Sequence, residues 1–175
     1  MSSNCISHQE IARVLHEMFK YDFVCASAKN KLWYQYKDHR WQEMDADMAL
    51  RKKISKELYL EYCWILSEYN KKSSSDDMDE GDKEAAKELG KKIHEIMNKL
   101  KTSSFKDNIV KECKELFHDK YFQGKLDTRE YLIGFENGVY DLQNDLFRVG
   151  IPEDFISFTT GVNYIEFDAY DPLIQ

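Results

Sequence analysis

The chain has 175 residues, of which 42% are hydrophobic, 14% aromatic and 33% charged, with a formal net charge of −7. That supply of apolar side chains excludes a wholly disordered chain, and 7 Gly and 2 Pro exclude a collagenous or linker-like one. The acidic total excludes a generally basic nucleic-acid coat, and no apolar run approaches the roughly 18–20 residues of a membrane span.

The first predicted element is a helix. Ser7 and Glu10 form an S-x-x-E capping box, and Ile6 is placed to staple onto Ile11. Ile11, Val14, Leu15, Met18 and Phe19 then share one helical face. Phe23 to Ala26 reads as a strand. Lys31 to Tyr36 and Arg40 to Met44 read as two more, joined by Lys37-Asp38-His39 into an aromatic hairpin. A long helix follows from about Met48 to Tyr69. Leu50, Ile54, Leu58, Tyr62, Ile65, Leu66 and Tyr69 keep its spacing, and Asp47 is placed as its cap. Residues 71–82 are polar and acidic and predict a mobile loop.

Ala86, Leu89, Ile93, Ile96, Met97 and Leu100 line a further helix. Ile109, Val110, Cys113, Leu116 and Phe117 line the next. The short Thr102-Ser103-Ser104 joint between them predicts antiparallel neighbours. From Tyr121 the chain turns to Gly, Asn, Asp and aromatics. Tyr131 to Phe135, Val139 to Leu142 and Phe147 to Val149 predict short strands, with Asn137-Gly138 as a tight-turn signal. The expected fold is α+β and mostly helical, with short antiparallel aromatic hairpins at the N-terminal and C-terminal ends of a helical middle. A single domain over 1–175 is expected, with a helix and hairpin at 7–44, a helical middle at 48–120 and a β-rich segment at 126–164.

Charge is unevenly spread. Residues 29–56 carry 8 Lys/Arg against 4 Asp/Glu, whereas residues 126–175 carry 2 against 10. Within the basic stretch, Lys29, Lys31, Lys37, Arg40, Arg51, Lys52, Lys53 and Lys56 interleave with Trp33, Tyr34, Tyr36 and Trp41. Cations can follow phosphates while aromatic faces stack on bases. This points to Lys31, Trp33, Lys37, Arg40, Trp41, Arg51, Lys52 and Lys53 as nucleic-acid-binding candidates. The plainer alternative is a hairpin with core aromatics and a solvated basic rim.

Other chemistry finds less support. There is no G-x-x-x-x-G-K-[ST] phosphate loop, since Gly90-Lys91-Lys92 lacks the first glycine. The five histidines and four cysteines form no pair with zinc-ligand spacing. Counting from Asp141 or from Asp45 fails the Ca²⁺-loop pattern. The acidic Asp76–Glu80 cluster sits in the expected loop. Asp45 and Asp47 form a D-x-D at a strand end, which could hold two metals for phosphoryl transfer. A turn and helix cap is the competing reading. No catalytic residue and no metal ligand is therefore assigned. The scattered cysteines and the absence of a secretory signal pattern lead to the expectation of an intracellular, reducing location.

Two longer motifs point to a family. LWYQYKDHRWQEMD at 32–45, with LRKKIS at 50–55, resembles the opening of the domain that precedes the superfamily 3 helicase module in poxvirus-type primase–helicases of large nucleocytoplasmic DNA viruses. FENGVYDL at 135–142 and LFRVGIPEDFISFTTGVNY at 146–164 resemble the run that leads into the helicase there. The resemblance covers about 8–164. It implies a parent with a primase region before this domain and a hexameric, ATP- and magnesium-dependent helicase after it, acting at cytoplasmic viral replication sites.

The chain stops at Asp171-Pro172-Leu173-Ile174-Gln175 with nothing that closes a domain, so a piece of a longer protein is expected. The expected role is a non-catalytic accessory or collar domain with no cofactor of its own. Its expected partners are single-stranded or forked DNA, further copies of itself in a hexamer, and the flanking primase and helicase domains, with no membrane. The alternatives are an oligomerisation or tethering module using the helices at 83–101 and 104–118, and a metal-dependent nucleotidyltransferase using Asp45 and Asp47.

Overall fold

Ser7 starts the first helix, α1 (His8–Phe19), in the way its motif predicts. Its Oγ accepts from the Glu10 N–H at 3.2 Å, and Glu10 Oε2 accepts from the Ser7 N–H at 2.8 Å. The computed structural model describes residues 7–74 and 79–166, leaving aside the side chains of residues 46 and 47. The Ile6 staple, the Asp47 side chain and residues 75–78 of the acidic stretch lie outside the described residues.

The chain divides into two compact units. The first contains α1 and the helices between Asp45 and His118. A row at four-residue spacing, Ile11, Leu15 and Phe19, faces inward from α1, while Val14 and Met18, expected on the same face, are exposed at its flank. The predicted long helix is continuous as α2 (Ala46–Lys53), a π turn (Ile54–Leu58) and α3 (Tyr59–Ser73). Its cap is Asp45 rather than the expected Asp47, because the helix begins two residues earlier. The Asp45 carboxylate accepts from the Met48 N–H at 3.4 Å and its carbonyl from the Ala49 N–H at 3.3 Å.

Leu50, Ile54 and Leu58 are all fully buried at four-residue spacing. In an α-helix such a row drifts by about 40° per step. The wider π turn takes up that drift and keeps all three pointing inward. Helix then occupies both ends of the stretch expected as a loop, because α3 extends to Ser73 and α4 (Glu80–Lys99) starts at Glu80. The next helix is α5 (Ser103–Leu116).

The short joint does not make α4 and α5 principal partners. α4 packs along α3, and α5 along α1 and α2. Gly90 of α4 brings that helix against Leu66 of α3. The Arg51 guanidinium is ion-paired to Asp107, and Lys106 Nζ donates to Ser55 Oγ at 2.7 Å, which ties α5 to the α2–π segment.

The second unit contains Tyr21–Met44 and the chain from Asp119. Strands β1 (Phe23–Ser27), β2 (Leu32–Lys37) and β3 (Arg40–Met44) form an antiparallel meander. Its second turn, Asp38-His39, has φ of 50° and 63°, the left-handed pair of a twist-matched hairpin. One sheet face carries Val24, Ala26, Tyr34, Tyr36 and Trp41 against Phe122, Leu126 and Phe155. Trp41 meets the Phe122 ring edge-on at 4.9 Å.

A second meander follows: β4 (Leu132–Phe135), β5 (Gly138–Asp141) and β6 (Leu146–Arg148). The turn between β4 and β5 is Glu136-Asn137, and Gly138 already pairs with Phe135. A Cβ on Gly138 would stand 2.6 Å from the Arg148 carbonyl oxygen. Glycine is required there for close approach, not for the turn. Residues 156–164 bind both meanders. The Trp41 N–H donates to the Ile156 carbonyl at 2.7 Å, the Thr160 N–H to Gly134 at 2.8 Å, and the Glu136 N–H to Val162 at 3.0 Å. The fold is α+β, with two small antiparallel sheets and a larger helical share. No helix among the described residues is long and apolar enough to cross a membrane.

Candidate nucleic-acid interface

The eight candidate residues fall in both units. Lys31, Trp33, Lys37, Arg40 and Trp41 belong to the meander unit, and Arg51, Lys52 and Lys53 to the helical unit. Lys31 sits exposed in the turn before β2, with φ of 54°. Lys37 and Arg40 are directly paired across the far end of the hairpin. A strand of this length separates them from Lys31 by about 20 Å.

The tryptophans are corrected by their burial. Trp33 is 1% exposed and Trp41 4%. The two alternate onto opposite faces of the sheet and both are covered, so neither ring can stack on a base. Trp41 also spends its indole N–H on the Pro152 carbonyl at 2.8 Å.

Two arginines and one lysine are corrected by their partners. Arg40 Nη1 donates to Glu136 Oε1 at 2.7 Å and to Thr159 Oγ1 at 3.0 Å. This fastens the hairpin to the second meander. The bonds from Thr159 and Arg40 hold the Glu136 carboxyl below its ordinary 4.5. Arg51 is held by Asp107. Lys53 pairs with Glu57 at 2.6 Å and lies over the Phe19 ring at 4.7 Å. Lys31, Lys37 and Lys52 remain exposed to solvent, Lys37 with a loose 3.6 Å contact to Asp38.

The D-x-D does not lie on a strand. β3 ends at Met44, and Asp45 is spent as the helix cap. Among the described residues no three His, Cys, Asp or Glu side chains converge as a metal site.

The C-terminal motif is a set of structural ties. Asp154 is 1% exposed and takes two 2.7 Å bonds from the Arg148 guanidinium, and its Oδ2 accepts from the Ile151 N–H at 2.9 Å. Asp141 accepts from the Asn144 amide at 2.8 Å and from the Gln143 and Asn144 N–H groups, closing the four-residue β5–β6 loop. The Asn144 bond is the largest cause of a carboxyl held below its ordinary 3.8. The Asp127 carboxylate accepts from the Ser157 N–H at 2.7 Å and is bonded to the Ser157 hydroxyl. The Asn137 amide brackets Tyr164 through bonds of 3.0 and 2.8 Å. A Cβ on Gly150 would meet Val139 at 2.9 Å and His39 at 3.0 Å.

The structure also presents aromatics that the reading of the hairpin passes over. Trp64 is 61% exposed on α3, and Tyr121 stands exposed with Lys120 over its ring at 4.7 Å. The signal for Trp64 is the four-residue row Lys52, Lys56, Leu60, Trp64. Trp64 falls outside the inward-facing series that defines the helix.

A family model described as "D5 N terminal like" matches residues 12–174. The chain belongs to this family. The D5 N-terminal-like chain is 39% identical over 168 residues to a protein of Acanthamoeba polyphaga mimivirus, covering 94% of the chain and 17% of the relative. It is 24% identical over 185 residues to a protein of Frog virus 3, covering 90% of the chain and 19% of the relative. Over 72 residues it is 35% identical to a protein of Invertebrate iridescent virus 3, covering 41% of the chain and 8% of the relative. Each of these relatives carries the name of a helicase. The chain spans less than a fifth of the length of any of the three.

Proposed function

We propose that this chain is a non-catalytic accessory domain of a viral primase–helicase, one that engages single-stranded or forked DNA and helps assemble a hexameric ring beside an ATP- and magnesium-dependent motor. The observation that carries the reading is the family match over 12–174, with helicase-named relatives about five to six times longer that include this segment. The local chemistry is consistent with an accessory role. The motif residues Arg148, Asp154, Asp141, Gly138 and Asn137 hold backbone in place. The flanking primase and helicase regions would supply the reaction.

DNA engagement is assigned to the exposed cations. Lys31, Lys37 and Lys52 have ammonium groups open to solvent, so reversing them leaves the half-buried ion pairs of Arg40, Arg51 and Lys53 intact. The test is a fluorescence-anisotropy titration of labelled single-stranded and forked DNA at several salt concentrations. The K31E/K37E/K52E variant is expected to bind more weakly, with the log–log salt slope shallower by about 2 for a single strand. Affinity and slope unchanged from the parent chain would remove DNA contact by these lysines from the proposal.

A further inference from the structure

α3 is an unusual helix for a folded unit. It carries Tyr59, Leu60, Tyr62, Cys63, Trp64, Ile65, Leu66 and Tyr69, yet none of its residues is buried. One side packs along α4. On its outer side Leu60 is 57% exposed and Trp64 61%. Two large apolar side chains exposed one turn apart on a helix make a candidate contact site.

The π turn determines what accompanies it. By keeping Leu50, Ile54 and Leu58 in one inward row, it also keeps Lys52, Lys56 and Leu60 in one outward row, and Trp64 follows one turn later. Lys71 and Lys72 stand exposed near the far end of the same helix. Nearby acids are largely engaged. Glu57 is paired with Lys53 at 2.6 Å, and Glu68 with Lys71 at 2.8 Å, while Glu61 lies exposed on the flank. Lys52, Lys56 and Lys72 form no ion pair among the described residues.

We infer that the outward row Lys52–Lys56–Leu60–Trp64 is a binding strip for single-stranded DNA, in which Trp64 stacks on a base and the two lysines follow the phosphates. The proposal rests on the DNA-engaging role above and gives it a place and a mode. Charge complementarity selects this occupant, since two unpaired ammonium groups lie in line with one exposed indole. The row from Lys52 to Trp64 spans about 18 Å along the helix. That length matches about five nucleotides at a stacked spacing of about 3.4 Å per strand. Leu60, midway, offers an apolar contact to a sugar or base edge.

The test uses the 175-residue chain and a 20-nucleotide oligo-dT. Trp33 and Trp41 are buried, so the quenchable indole emission reports Trp64. Oligo-dT is expected to quench it at saturation. W64A is expected to lose roughly five- to hundred-fold in affinity, and W64F to stay within about threefold of the parent. K52E/K56E is expected to make the salt slope shallower by about 1.4. Circular dichroism confirms folding, and K52E/K56E decides the case if W64A does not fold.

Binding of oligo-dT by the parent chain with neither quenching nor any effect of W64A or K52E/K56E overturns the strip and leaves the broader DNA role standing. Absence of oligo-dT binding altogether overturns both. Tighter binding of oligo-U than of oligo-dT overturns the assignment to DNA. Concentration-dependent self-association in sedimentation, abolished by W64A while oligo-dT affinity is unchanged, overturns it in favour of a second copy of the chain.

Discussion

Removing the Asp154 carboxylate should be among the most destabilising single changes available in the meander unit. The carboxylate is buried and takes three hydrogen bonds, two of them from Arg148 in a bidentate pair at 2.7 Å. Deleting one partner of a buried ion pair costs about 3–5 kcal/mol, because the other charge stays behind. Here the Arg148 side chain keeps 29% of its exposure and can rehydrate in part, which moves the expected cost toward the lower end, about 3 kcal/mol. The Ile151 N–H belongs to an exposed residue and adds little once freed.

The assay is urea denaturation followed by tryptophan emission in a W64F background, where both remaining indoles, Trp33 and Trp41, lie in this unit. Asp154→Ala should lower the unfolding free energy by about 3 kcal/mol without changing the denaturant slope. Adding Arg148→Met should recover part of the loss, because the stranded guanidinium goes with it. A loss under about 1 kcal/mol for Asp154→Ala, or strictly additive losses for the pair, would show that this ion pair does not organise the segment.

Other perturbations act elsewhere. Gly90→Ala in the interior of α4 should stabilise the helical unit by up to about 1 kcal/mol, since the added methyl meets Leu66 at an ordinary 3.6 Å; a lowered midpoint in thermal melting would refute this. Glu136 and Asp141 both have carboxyl groups held below their ordinary 4.5 and 3.8, so each favours the folded state above those values and loses that contribution as pH falls through its folded value. Thermal midpoints recorded between pH 6 and 2.5 should therefore fall less steeply on the acid side for E136Q/D141N than for the parent chain. Parallel acid limbs would contradict it.

Local signals in the sequence translated well into local structure. The Ser7–Glu10 capping box, the aromatic hairpin around Lys37-Asp38-His39, and the short strands after Tyr131 depend on neighbours within a few residues, and those neighbours are visible in the sequence. Helix pairing was not visible in the same way. The short Thr102-Ser103-Ser104 joint suggested α4 beside α5, but Gly90 and the apolar side of α3 set the packing instead, and no spacing rule encodes that. Arg40 and Arg51 are taken up by partners for a related reason. A run of Lys and Arg reads as a field, yet Arg40 finds Glu136 at a separation of 96 residues and Arg51 finds Asp107, so the field is cancelled where the fold brings acids to it.

That cancellation also explains what the two long motifs mean. Asn137, Gly138, Asp141, Arg148, Gly150 and Asp154 are the residue types usually inspected for catalysis, yet each is used to fix backbone: an amide bracketing Tyr164, a close approach to Arg148, a loop closed by a carboxylate, a buried ion pair. Such a pattern is specific because several tight geometric requirements must be met in order along a short stretch. It can therefore identify a fold strongly while saying little about chemistry. The proposed strip draws instead on side chains that the fold leaves exposed, and the π turn between α2 and α3 that keeps Leu50, Ile54 and Leu58 buried is the same feature that sets Lys52, Lys56 and Leu60 in line on the opposite side.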